Sequence, residues 1–183
     1  MLLRRPRAEI ETRPLTPVAG LEHLQAEPVA VLRWLAASRV EHVLVGDVAR
    51  SVRGERDVSG AVAIVPAPYG RNLDRLGRAL HIAHARLRAG RPDEENTAIK
   101  LTADKLARPQ RWQLRVGAHD LDIEGPAPGL PTYEELLYDA GVFGLEPGLR
   151  VQVASPEDIG RFAHAQRVDR EIRITRVERE PAS

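Results

Sequence analysis

The chain contains no cysteine, which removes disulfide frameworks, zinc–thiolate centres and cysteine nucleophiles from consideration and fits a reducing compartment. Aromatic residues make up only 4% of it, and neither Trp34 nor Trp112 sits among arginines in a strip that could stack bases. Both are expected to be packing residues. No apolar run approaches ~18 residues, so no membrane-spanning helix is expected. The basic start MLLRRPRAEIETRP lacks the apolar stretch of a signal peptide, and the expectation is a cytoplasmic protein with no membrane partner. An excess of charge of one sign is missing too. With 27 basic and 26 acidic residues the net charge is +1, so nucleic acid is not indicated as a partner. Lys100 and Lys105 are the only lysines, and an arginine bias of this kind follows from GC-rich codon usage as readily as from phosphate recognition.

What remains is a 183-residue chain, 43% hydrophobic, long enough for one domain with a real core. Residues 1–20, rich in proline and arginine, read as a poorly ordered arm. Residues 21–167 read as the domain, and 168–183 as a charged tail, helical and then frayed. Pro28 suits the first position of a helix over 27–39 with Leu32, Leu35 and Ala36 as its buried stripe. His42–Val45 reads as a buried strand ending at Gly46, followed by a short helix over 47–52 closed by Gly54. Ala61–Val65 reads as a second strand, apolar on both faces and stopped by Pro66 and Pro68. Leu73, Leu76, Leu80 and Ala83 recur at helical spacing over 72–85, with Arg71, Arg75 and Arg78 on the wet side.

Residues 87–110 are charged and irregular, with a weak strand signal at Thr97–Leu101. Arg111–Val116 and His119–Glu124 alternate around Gly117-Ala118 as a hairpin. Thr132 with Glu135 forms a capping box, Leu149–Val153 alternates as a strand, and Ser155-Pro156 with Asp158 opens a last helix whose buried stripe is Ile159, Phe162 and Ala163. This order of elements implies an α+β domain. No Ser-His-Asp signature and no Walker-type loop occurs, and His81 with His84 lacks the further ligands a metal would need.

Several blocks share one order and spacing. They are Val43-Leu44-Val45-Gly46-Asp47-Val48-Ala49, Gly54, Ala61-Val62-Ala63-Ile64-Val65, Asn72-Leu73-Asp74-Arg75-Leu76, Asp120-Leu121-Asp122-Ile123-Glu124, Tyr133-Glu134-Glu135-Leu136-Leu137 and Val151-Gln152-Val153-Ala154-Ser155-Pro156-Glu157-Asp158-Ile159. Over residues 28–165 this resembles the nucleotidyltransferase fold, in particular the small bacterial minimal nucleotidyltransferases and the AbiEii-type abortive-infection toxins. The resemblance implies a polymerase-beta-type mixed central sheet flanked by helices, and a setting in toxin–antitoxin or phage-defence biology.

Active members of that family carry two aspartates two residues apart on one strand, roughly 7 Å apart. With a third acid on a neighbouring strand these hold the Mg²⁺ ions that grip a nucleoside triphosphate. By the resemblance the two positions fall on Ala61 and Ala63, which carry no oxygen ligand, and the third falls on Asp122. The family's phosphate-receiving turn falls on Gly46 and Asp47, where the carboxylate is expected to cap the amides and repel phosphate. The family arginine before the acids falls at Asp57, beside Arg56, and the lysine common in the last helix falls near Ala163. The first expectation is therefore an inactive relative without a cofactor, a pseudoenzyme or binding module with a partner protein, a second copy or weakly held nucleotide. A second is an active transferase that draws Asp47, Asp57 and Asp122 around one Mg²⁺. A third is a structural or oligomerising domain without ligand. For Asp120, Asp122 and Glu124 the plainer expectation is the solvent face of a strand pairing with arginines such as Arg115, and for His119 a neutral partner on the strand.

Overall fold

In the computed structural model, residues 9–88 and 98–179 are described, with side chains as far as Glu171. They form a mixed α+β structure in which one seven-stranded sheet is flanked by helices. The chain runs α1 (Ala26–Ala37), β1 (His42–Val45), α2 (Gly46–Val52), β2 (Val62–Pro66), α3 (Gly70–Ile82) and β3 (Arg86–Leu87). It continues through α4 (Ala103–Leu106), β4 (Arg111–Val116), β5 (His119–Glu124), α5 (Tyr133–Asp139), β6 (Gly141–Glu146), β7 (Leu149–Val153) and α6 (Pro156–Arg179). The sheet order is β3-β4-β5-β2-β1-β7-β6.

Strand β2 lies at the centre because it can: every residue from Val62 to Pro66 is buried, as a strand apolar on both faces requires when helices cover both sides. It pairs antiparallel with β1 and parallel with β5, so Ala63 stands between Val45 and Asp122. Ala61 falls one residue before the strand. The first helix starts at Ala26, two residues before Pro28. A first-turn proline costs nothing there, because that N–H has no partner inside the helix. It ends at Ala37, before Arg39 turns to a φ of 56°, and Val31 rather than Ala36 completes the buried face. Both tryptophans are buried, as packing residues should be.

Asn72 ties the start of α3 to the sheet. Its amide donates to the carbonyls of Glu41 (2.8 Å) and Ala67 (3.0 Å), and its oxygen accepts from the Glu41 N–H (2.8 Å). The capping box of Thr132 and Glu135 is present at α5, and Ser155 accepts from the Asp158 N–H at 3.2 Å to open α6. Of the expected strand at 97–101, Thr97 lies outside the described residues and the rest contributes a single bridge between Ala98 and Arg86.

Strand β6 is absent from the sequence reading. It pairs with β7 across Pro147-Gly148, and its Glu146 is buried under a bidentate bond from Arg33 of α1 (2.6 and 2.9 Å). Residues 9–20 form neither helix nor strand, yet Ile10 and Leu15 pack on the core and Arg13 reaches Glu146 at 3.4 Å. Among the described residues no helix is long and apolar enough to cross a membrane.

One close approach sets the seat of α3. A Cβ on Gly77 would stand 2.4 Å from the Leu101 carbonyl oxygen, a backbone atom with little freedom to retreat. Gly77→Ala is therefore expected to lower stability by about 1–3 kcal/mol despite alanine's better helix propensity, read as a shift in urea midpoint at constant slope. An unchanged or raised midpoint would mean that the α3–α4 contact is loose.

Candidate functional site

The three central strands set a short row of residues side by side. Val45 of β1 pairs with Ala63 of β2, which pairs with Asp122 of β5, and Gly46 follows directly as the chain turns into α2. Gly46 has a φ of 71°, and a Cβ placed on it would lie 3.0 Å from the Ala63 methyl. Glycine is needed there for conformation and for space. Gly46, Asp47, Ala61, Ala63 and Asp122 all line one cavity of about 80 Å³. Helix α6 covers it with Ile159, Ala163 and Gln166. The cavity is far below the roughly 300–1,000 Å³ that ordinary ligand sites occupy.

Asp122 is the residue whose state decides the chemistry. It is 3% exposed, and each carboxylate oxygen is taken by a different guanidinium: Oδ1 by Arg88 at 2.6 Å and Oδ2 by Arg111 at 2.6 Å. The pairing extends along the face. Arg88 also holds Asp120 at 3.1 Å, Arg115 holds Asp120 at 3.1 Å, and Arg111 holds Glu124 at 3.0 Å. Gln166 of α6 donates to the same Glu124 oxygen at 3.3 Å, which joins the last helix to the ladder. Asp122 and Glu124 are thus buried, not part of a solvent face, while Asp120 keeps partial exposure and the expected partner Arg115. Burial is the largest influence on Glu124 and pushes its carboxyl above the usual carboxylate range, with Arg111 pulling the other way.

The other residues singled out from the sequence lie as follows. Asp47 does not cap α2. The N-cap is Val45, with no side-chain cap bond, and Asp47 lies inside the first turn and accepts from Arg50 at 3.0 Å. The helix begins one residue earlier than its glycine suggested, and the carboxylate pairs with a side chain of the next turn instead. Arg50 also donates through Nε to Glu55 at 2.8 Å. Asp57 is exposed, has a φ of 58° and is not part of the cavity wall, so Asp47, Asp57 and Asp122 are not gathered around one point. Among the described residues no three His, Asp or Glu side chains are arranged to hold a metal. His81 is exposed on α3, whereas His84 lies beyond the helix end with a φ of 52°, so the pair is not on one helical face. Alternation along β5 places His119 on the face opposite Asp122.

Arg88, Arg111, Arg50 and Gln166 were not anticipated. Arg111 was within reach, because a hairpin centred on Gly117-Ala118 pairs 111 with 124, 113 with 122 and 115 with 120, setting Arg111 and Arg115 beside the acids. Arg88 had no such signal, since it follows a two-residue strand in the irregular segment. No protein-family model matches the chain, and none of the curated proteins matches it.

Two measurements test this account of the cluster. Asp122→Ala leaves two guanidiniums without their shared acceptor, so it is expected to destabilise the protein by about 3 kcal/mol, toward the low end for breaking a buried pair because both arginines keep a second acid. A carboxylate held ready for a metal would give the opposite sign in metal-free buffer, neutral or stabilising. For Glu124 the folded state holds its proton more tightly than the unfolded chain does. Its contribution is therefore complete below the unfolded value of 4.5 and is lost as pH rises through the raised folded value. Relative to wild type, Glu124→Gln should gain stability as pH is raised above 4.5 and then level off, followed by urea melts across the acid range. A pH-independent difference would remove the burial argument.

Proposed function

We propose that this chain is a nucleotidyltransferase-fold protein that does not transfer nucleotides and acts as a binding module. The single observation that carries the reading is the state of Asp122: both of its oxygens are committed to arginines where the fold's chemistry requires a metal ligand. Two alanines stand beside it where the companion acids would be. A divalent cation brought there would meet two guanidiniums and one neutralised carboxylate, and Mg²⁺ asks for several oxygen ligands in near-octahedral order. The supporting resemblance is the run of sequence blocks from residue 28 to 165, and the mixed sheet with Asp122 adjacent to Ala63 is the arrangement that resemblance requires.

The resemblance also suggests a setting in toxin–antitoxin or phage-defence biology, with a partner protein or a second copy as the bound species. The active alternative has no support from geometry, since Asp57 stays outside the cavity. The oligomerising alternative lost its basis when β2 proved to be buried inside one chain.

A native state that bound Mg·NTP would be stabilised by ~2.7 kcal/mol at a hundredfold excess over Kd. The expected outcome of a thermal-shift screen with the four NTPs and Mg²⁺ or Mn²⁺ is no shift, together with no label transfer from NTP to protein or tRNA acceptors. Turnover abolished by Asp122→Ala would overturn the proposal.

A further inference from the structure

The two edges of the sheet differ. Strand β3 is two residues long and is bridged by Ala98 at Arg86. Strand β6 pairs with β7 alone, and among the described residues nothing from Gly141 to Glu146 makes a backbone–backbone hydrogen bond outside that pairing. Its outward N–H and C=O groups therefore form a ready template for another strand. The described segments break off elsewhere: Glu9 lies by the β4–β5 turn, Arg88 and Ala98 flank β3 at the far edge, and α6 has reached Glu124 of β5 by Gln166.

A charge, a proline or a bulge commonly blunts an open edge. The bulge between Gly144 and Glu146 and the buried Glu146 guard the end of β6. Gly141-Val142-Phe143-Gly144 carries no such guard. Val142 is 57% exposed, and Tyr138, just before the strand, is 90% exposed.

The charges at the two ends of this edge select what fits it. Directly opposite residues of paired strands share a face, so Val142 and Gly144 lie with Gln152 and Arg150. Arg150 is exposed without an ion pair among the described residues, and a Cβ on its opposite number Gly144 would meet nothing within 4 Å, so that face is bare. At the start of β6, Asp139 ends α5, exposed and likewise without an ion pair among the described residues. The edge is acidic where it begins and basic where it ends. An antiparallel copy of itself sets each end against its opposite. With the twofold axis at Val142, the two exposed valines stand opposite one another, Ala140 faces Gly144 of the second copy, and Asp139 is brought toward Arg150 of that copy.

We propose that β6 is the seam of a homodimer, in which two copies pair β6 to β6, antiparallel about a twofold axis at Val142, and join their seven-stranded sheets into one. The seam leaves β2 inside each chain and does not rest on the reading given to Asp122.

Sedimentation velocity of the full chain, from low to high micromolar concentration, is expected to show a monomer passing into a dimer. Val142→Lys sets two like charges opposite one another at an exposed position, so it should weaken the dimer by about tenfold or more while far-UV circular dichroism stays unchanged. The natural chain has no cysteine, so Val142→Cys carries a single thiol. Opposite Cβ atoms lie ~4.5–5.5 Å apart, and mild oxidation should link this variant into a covalent dimer far faster than Val168→Cys on α6. A monomer at every concentration, a dimer indifferent to Val142→Lys, or linking no faster at position 142 than at 168 would each overturn the proposal.

Discussion

A carboxylate gripped by two guanidiniums from two other segments is the constraint around which this molecule is arranged. Asp122 of β5 takes Arg111 from the neighbouring strand and Arg88 from just beyond β3, so that three consecutive sheet positions are stitched across one face. Taking a charge out of water is tolerable only when its lone pairs are met, and here both oxygens are met by charge-assisted bonds at 2.6 Å. The neighbouring pairs to Asp120 and Glu124 distribute the charge, leaving no acid in the ladder unpartnered. A metal brought to this region would have to displace the same arginines that permit Asp122 to be buried.

Around this ladder the small residues matter as much as the charged ones. Ala63 and Gly46 face each other so closely that a methyl on the glycine would touch the alanine, and α6 closes over them with Ile159. The result is a cavity of about 80 Å³, room for several waters. Acids at these positions would need room and counter-charge that the closed arrangement does not provide. The two faces of β5 thus have opposite characters: Asp122 is saturated within a nearly filled recess, while His119 lines an open cavity of about 600 Å³.

Much of the scaffold could be read directly from residue order. The bounds of β1, β4, β5 and β7 follow from short apolar or alternating runs between glycines and prolines, and the strands observed coincide with those runs. The starts of α5 and α6 follow from Thr132 with Glu135 and from Ser155 with Pro156, because capping is a local bond between residues three apart. Strand β6 is faint in the sequence because Gly141 and Gly144 dilute its alternation, although Pro147-Gly148 between it and β7 is a usable turn signal. The sequence does not settle the role of Asp47, because helix starts are ambiguous by a residue and one residue decides whether a carboxylate caps amides or pairs with Arg50.

By itself the sequence determined most of the elements, the two apolar faces of the strand that became β2 and the absence of oxygen ligands at Ala61 and Ala63, because these depend on side-chain type and on contacts a few residues apart. Only the tertiary structure decided that Asp122 is buried between Arg88 and Arg111, that Asp57 lies outside the recess and that His119 lines a cavity. The bond from Arg88 to Asp122 alone joins residues 34 positions apart, and the sign and strength of a charge's interaction depend on distance and burial, which no local pattern records.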